Sequence, residues 1–148
     1  MSHVAKVELE VKDLSALASA AAALGLELVL GQKTFKWYGT WVDDYSAADA
    51  AYKNGIAVED YGKCQHAIRV PGNSRAYEIG VVQRDCKWVL VYDFYAGGCG
   101  LEEKAGKGLA KLKQQYGAEV TKKTLAGRGY VCKEEWKNGR LQVTATKR

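Results

Sequence analysis

Residues 96 to 108, Ala-Gly-Gly-Cys-Gly-Leu-Glu-Glu-Lys-Ala-Gly-Lys-Gly, set glycines and a lysine at the start of a helical pattern. That arrangement cradles phosphate on backbone N–H groups. The spacing does not fit a nucleotide hydrolase. Four residues separate Gly from Gly-Lys in the phosphate loop, but five separate Gly100 from Gly106 here, and Gly108 stands where Ser or Thr would bind magnesium. Glu102 and Glu103 also place negative charge in the first helical turn, where an incoming phosphate would meet it. The motif reads as a strand-to-helix turn.

Other reactive side chains give no recognisable catalytic set. His66 is one of two histidines, and no serine lies in a nucleophile elbow or beside an evident base. Asp43 and Asp44 are neighbours, so in extended chain they point apart, which suits capping better than a paired acid and base. Cys64, Cys86, Cys99 and Cys132 form no Cys-x-x-Cys pair and read as free thiols packed as small hydrophobes. Neither a metal site nor a cofactor is expected.

Two stretches have the composition of a binding site instead. Trp37, Trp41, Tyr45 and Tyr61, interleaved with Lys36, Asp43, Asp44 and Asp60, resemble a recognition loop in which flat rings stack on a ligand and polar groups orient it. The same aromatics are equally suited to covering an open sheet face. If the loop folds over the sheet, strand periodicity offers Arg69, Arg84, Asp93 and Tyr95 as polar groups on the floor beneath it. The second stretch is helical. At 100° per residue Lys104, Lys107, Lys111, Gln115 and Lys122 fall on one face as a basic ridge suited to anions.

The elements that must position these residues follow from periodicity. Residues 4 to 11 alternate as a half-buried strand, and Asp13 caps a helix with Leu14, Leu17, Ala21 and Leu24 on one stripe, ended at Gly25. Residues 26 to 30 and 34 to 38 read as a strand or hairpin around Gly31, followed by an irregular aromatic insertion at about 39 to 63. Residues 66 to 70, 77 to 83 and 88 to 95 form an antiparallel meander. Leu101, Ala105, Leu109, Leu112, Tyr116 and Val120 repeat as one long second helix, and Asn138-Gly139 turns a closing hairpin over 131 to 136 and 141 to 146. The expected fold is a single α+β domain over 1 to 148, with two helices on a mostly antiparallel sheet.

Composition agrees with a water-soluble chain: 148 residues, 47% hydrophobic, 26% charged, without an apolar run long enough to span a bilayer. The opening residues alternate at once, so no signal peptide is expected, and the chain is assigned to the cytoplasm. The net charge of +5 is uneven. Residues 1 to 100 carry ten Lys and Arg against twelve Asp and Glu, and residues 101 to 148 carry twelve against five. The final third therefore holds the whole excess, which points to an anionic partner or to a solvated exterior.

Several segments carry a resemblance across nearly the full length. They are Met1-Ser2-His3, Lys12-Asp13-Leu14, Leu24-Gly25, Tyr77-Glu78-Ile79-Gly80, Leu90-Val91-Tyr92-Asp93-Phe94-Tyr95, Gln114-Gln115-Tyr116 and Asn138-Gly139. In these the chain resembles the hypothetical chloroplast reading frame 35 family, a domain of unknown function. The resemblance implies an α+β fold and a cyanobacterial, plastid or phage setting, with host cytoplasm or plastid stroma as the compartment, and it lends no activity. The residues themselves lead to a non-enzymatic binding module for an anionic small molecule, a nucleotide or a protein partner. A nucleic-acid-binding accessory protein comes second, and an enzyme with an unrecognised site third.

Overall fold

A computed structural model describes residues 4–37 and 62–148. In chain order the elements are β1 (Val4–Val11), α1 (Leu14–Ala23), β2 (Glu27–Leu30), β3 (His66–Arg69), β4 (Ile79–Arg84) and β5 (Lys87–Asp93). Then come α2 (Leu101–Ala105), α3 (Ala110–Ala126), β6 (Tyr130–Lys137) and β7 (Arg140–Lys147). The fold is α+β. Five strands form an antiparallel sheet in the order β1-β5-β4-β3-β2, while β6 and β7 pair only with each other.

The alternation along β5 sorts side chains onto two faces. Leu90 and Tyr92 join Leu17, Ile68, Ile79, Leu101, Leu112 and Tyr116 in a core beneath the helices. Val89 and Val91 join Val4, Phe35, Trp37, Cys64 and Val82 on the opposite face. Both faces of the central strands are thus covered, which is why β5 reads as a nearly continuous apolar run. Each fully buried Leu or Ile contributes about 1.5–3 kcal/mol relative to an exposed one.

α1 starts as its sequence predicts: Asp13 Oδ1 accepts from the Ala16 N–H at 3.0 Å, and Gly25 follows the helix at φ +76°. Asp13 also pairs through Oδ2 with Lys123 Nζ at 2.6 Å, and the Tyr116 hydroxyl accepts from the Lys12 N–H at 3.1 Å. These contacts tie α3 to the beginning of α1.

Two predicted elements differ from what is found. The hairpin around Gly31 does not form; β2 pairs with β3, in the register Glu27↔Arg69 to Leu30↔His66, and Thr34 makes an isolated bridge to Lys63. The cause lies in Phe35 and Trp37, both 3% exposed, which leave the sheet edge to cover its second face. Gly80 makes room for Phe35: a Cβ there would lie 2.6 Å from Phe35 Cδ1 and 2.9 Å from Val91 Cγ2.

The second correction concerns the long helix, which is broken into α2 and α3. Gly106 takes φ +83° and ψ +156°, and Gly108 and Leu109 both sit in the left-handed region, so the backbone makes a fresh start at Ala110. Among the described residues the α-helices therefore number three rather than two.

Candidate anion-binding cleft

The junction between β5 and α3 is held in conformations that few sequences adopt. After β5 the four residues Ala96, Gly97, Gly98 and Cys99 all have positive φ, between +50° and +68°, making a short left-handed turn. Non-glycine residues enter this region at a cost, and rarely in succession. The surrounding contacts hold the turn: Tyr95 N–H donates to Asp93 Oδ1 at 2.9 Å, and Tyr77 N–H donates to Gly98 O at 2.9 Å.

The second holding point is Tyr92. Its hydroxyl donates to Glu102 Oε2 at 2.6 Å and accepts from the Gly108 N–H at 3.1 Å. One side chain from β5 thereby fixes α2 and the loop leading into α3. Burial, and after it the neighbouring Glu102 carboxylate, push the Tyr92 hydroxyl above the ordinary tyrosine range. Glu102 is therefore held in place as an acceptor, and its carboxylate lies in the lining of the cleft beside it.

Beside this knot lies a cleft of about 550 Å³, within the size range of small-ligand sites. Val7, Tyr92 and Phe94 give it an apolar and aromatic lining. Lys6 from edge strand β1, Lys107 from the loop and Lys113 from the first turn of α3 line it as well. None of these three lysines forms an ion pair among the described residues. Phe94 is 44% exposed. The Glu102 carboxylate also lines the cleft, so three lysines against one acid leave an excess of positive charge beside flat apolar surface.

The break in the helix redistributes the predicted ridge. Lys107 faces the cleft just described, whereas Lys104 and Lys111 line a second cleft of about 440 Å³ together with Leu24, Trp136 and Gly139. Lys104 also lies across the end of α1, where a Cβ on Gly25 would come within 3.1 Å of its Nζ, a favourable place for a cation. Lys122 is taken up by Glu119 and Glu134, each at 3.0 Å. A single face does not arise because 100° per residue holds only within one continuous helix.

The other predicted residues are dispersed. Trp37 is buried and serves the sheet, and Trp41, Tyr45 and Tyr61 lie outside the described residues. Arg69 pairs with Glu27 at 2.9 Å on the β2–β3 edge. The register sets Arg69 and Asp93 at one end of the sheet and Arg84, beside the β4–β5 turn, at the other, so no common floor forms. Asp93 is fully buried at the end of β5, and Tyr95, 40% exposed, comes just before the left-handed turn. His66 is structural: its Nδ1 accepts from the Gly31 N–H at 2.9 Å, its ring stacks tilted on Trp88, and burial lowers its pKa.

Sequence reasoning missed Lys6, Tyr92, Phe94, Glu102 and Lys113 as partners in one place. Tyr92 and Phe94 stand in a segment already marked as a strand, and Lys6 on the polar side of the first one, but only the pairing of β1 with β5 brings them together. Among the described residues no cluster of three His, Cys, Asp or Glu side chains is arranged to hold a metal ion. No family model, no curated protein and no solved structure matches the chain.

Proposed function

We propose that the protein is a non-enzymatic binding module whose cleft between β1, β5 and α3 takes an anionic small molecule with a flat portion, of which a nucleoside phosphate is the leading class. The observation that carries this reading is the set of Lys6, Lys107 and Lys113 lining the cleft with Tyr92 and Phe94, none of the three in an ion pair among the described residues and together outnumbering the one lining acid, Glu102. Three cations attract phosphate, and a half-exposed aromatic ring offers a stacking surface. Tyr92 is occupied with Glu102 and Gly108 and holds the wall in place; it does not take part in a reaction. In this reading the module acts in the cytoplasm or plastid stroma.

Calorimetric titration with nucleoside mono-, di- and triphosphates at low salt tests the proposal. Affinity should rise with phosphate count. Lys107→Glu and Lys113→Glu should each weaken binding about 10- to 100-fold, the loss of one charge-assisted contact worth roughly 1.5–3 kcal/mol. Equal affinity for the nucleoside and its triphosphate would refute it.

A nucleic-acid-binding role is the second reading. It draws support from the cleft that Lys104 and Lys111 line with Glu103, Trp136 and the turn of the β6–β7 hairpin, since an exposed indole in a cleft with lysines suits a stacked base. Binding that falls steeply between low and moderate salt, and that responds to Lys111→Glu but not Lys113→Glu, would favour it.

A further inference from the structure

A separate pocket of about 330 Å³ opens between the β3–β4 turn and the segment that follows β2, lined by Lys36, Arg69, Ser74 and Glu78 among others. Glu78 is its unusual member. It is a carboxylate only 7% exposed, in the backbone stretch where the chain passes from the turn into β4. Its Oε1 accepts from Gln32 Nε2 at 2.9 Å and from the Lys36 N–H at 3.0 Å. Its Oε2 has no hydrogen bond among the described residues. A buried carboxylate oxygen without a donor is costly, and the cost is removed when a ligand supplies one.

The opposite charges in the pocket are also incompletely used. Arg69 spends Nε and Nη2 on Glu27 Oε2, leaving Nη1, and Lys36 Nζ spends one of its three donors on Ser74 O at 3.1 Å. The Arg69–Glu27 pair is neutral, and Lys36 balances Glu78, so the pocket as a whole has no charge to offset. Its lining holds one carboxylate oxygen without a donor and two cationic side chains with unspent donors. The ligand that matches is itself neutral overall, with an ammonium for Glu78 and a carboxylate for Lys36 and Arg69.

We infer that this pocket binds a small zwitterion of the amino-acid class, the ammonium on Glu78 Oε2 and the carboxylate on Lys36 and Arg69. The volume, at the low end for ligand sites, limits the molecule to about that size. The site is independent of the lysine cleft proposed above, since the two share no lining residue.

The test is calorimetry on the full chain with the twenty amino acids, followed, for the tightest binder, by its deaminated acid and its decarboxylated amine. The expected result is binding of the zwitterion and at least tenfold weaker binding of both analogues. Glu78→Gln keeps an oxygen for the Lys36 N–H but removes the charge, and should weaken the zwitterion at least tenfold. Because Glu78 is buried, Arg69→Gln and Lys36→Met provide the second arm, each expected to weaken the zwitterion while leaving the amine unaffected. Lys113→Glu should change nothing here, which keeps this test distinct from that of the lysine cleft. The inference is overturned if no amino acid binds at millimolar concentration, or if the amine alone or the acid alone binds as well as the zwitterion.

Discussion

Replacing Tyr92 with Phe removes one oxygen and leaves the ring. That oxygen donates to the Glu102 carboxylate at 2.6 Å and accepts from the Gly108 N–H at 3.1 Å, so the substitution deletes one hydrogen bond to a charged group and one to the backbone. The first is worth about 1.5–3 kcal/mol and the second about 0.5–1.5 kcal/mol. The Gly108 N–H lies 3.4 Å from Glu102 Oε2, so it retains a weaker acceptor after the change. The expected loss is therefore about 2–3 kcal/mol, at the lower part of the summed range. Urea unfolding followed by tryptophan fluorescence measures it, with an unchanged denaturant slope showing that the native fold persists. Hydrogen exchange at the Gly108 amide should accelerate as well. A loss below about 0.5 kcal/mol, the ordinary range for surface substitutions, together with unchanged exchange, would refute the claim that Tyr92 fixes the cleft wall.

Gly80→Ala should destabilise by about 1–3 kcal/mol by overpacking, since its Cβ would sit 2.6 Å from Phe35; Gly80→Ala with Phe35→Leu should recover part of the loss in the same unfolding assay. Burial pushes the Cys64 thiol up to about 11, above its unfolded value of 9.0, so the stability it contributes is full below pH 9 and is lost as pH rises through about 11. Tyr92, also raised, acts in the same direction above the ordinary tyrosine value, so Cys64→Ala and Tyr92→Phe should each flatten the alkaline fall of the unfolding midpoint. At the acid end Asp13 is held below the usual carboxylate range, chiefly by its hydrogen bond to Lys123 and then by the Ala16 N–H. Its contribution is present above the unfolded pKa and is lost as pH falls through the native one, and Asp13→Ala should remove that part of the acid transition in a pH series of thermal melts.

Much of the scaffold can be read from the chain. The alternation in β1 and the meander, the Asp13 cap, Gly25 and the Asn138-Gly139 turn are local signals with local causes. The broken helix was hidden by a different property of the same signal. Leu101, Ala105, Leu109, Leu112 and Tyr116 are all buried, so the apolar spacing persists across the break even though the backbone does not. Apolar spacing records which side chains reach the core and leaves the path between them open. Val120, at the end of that series, is 37% exposed.

The cleft was less legible for a topological reason. Lys6 and Tyr92 are far apart in sequence and meet Lys107 and Lys113 only because β1 pairs with β5, and strand order is not contained in periodicity. The glycine run drew notice as a phosphate motif, but its role is to allow the left-handed turn and the close approach at Gly106, where a Cβ would lie 2.7 Å from the Lys111 nitrogen. Trp37 had two readings, recognition and cover, and together with Phe35 it covers the second sheet face.

The central claim is that the lysine cleft is the anion site, and an amide shift titration of the isotopically labelled chain with a nucleoside triphosphate tests it most directly. The account predicts saturable shifts concentrated at Gly97, Lys107, Gly108 and Lys113, abolished by Lys107→Glu combined with Lys113→Glu. Shifts confined to Lys104, Lys111 and Trp136, or none at millimolar ligand, would contradict it.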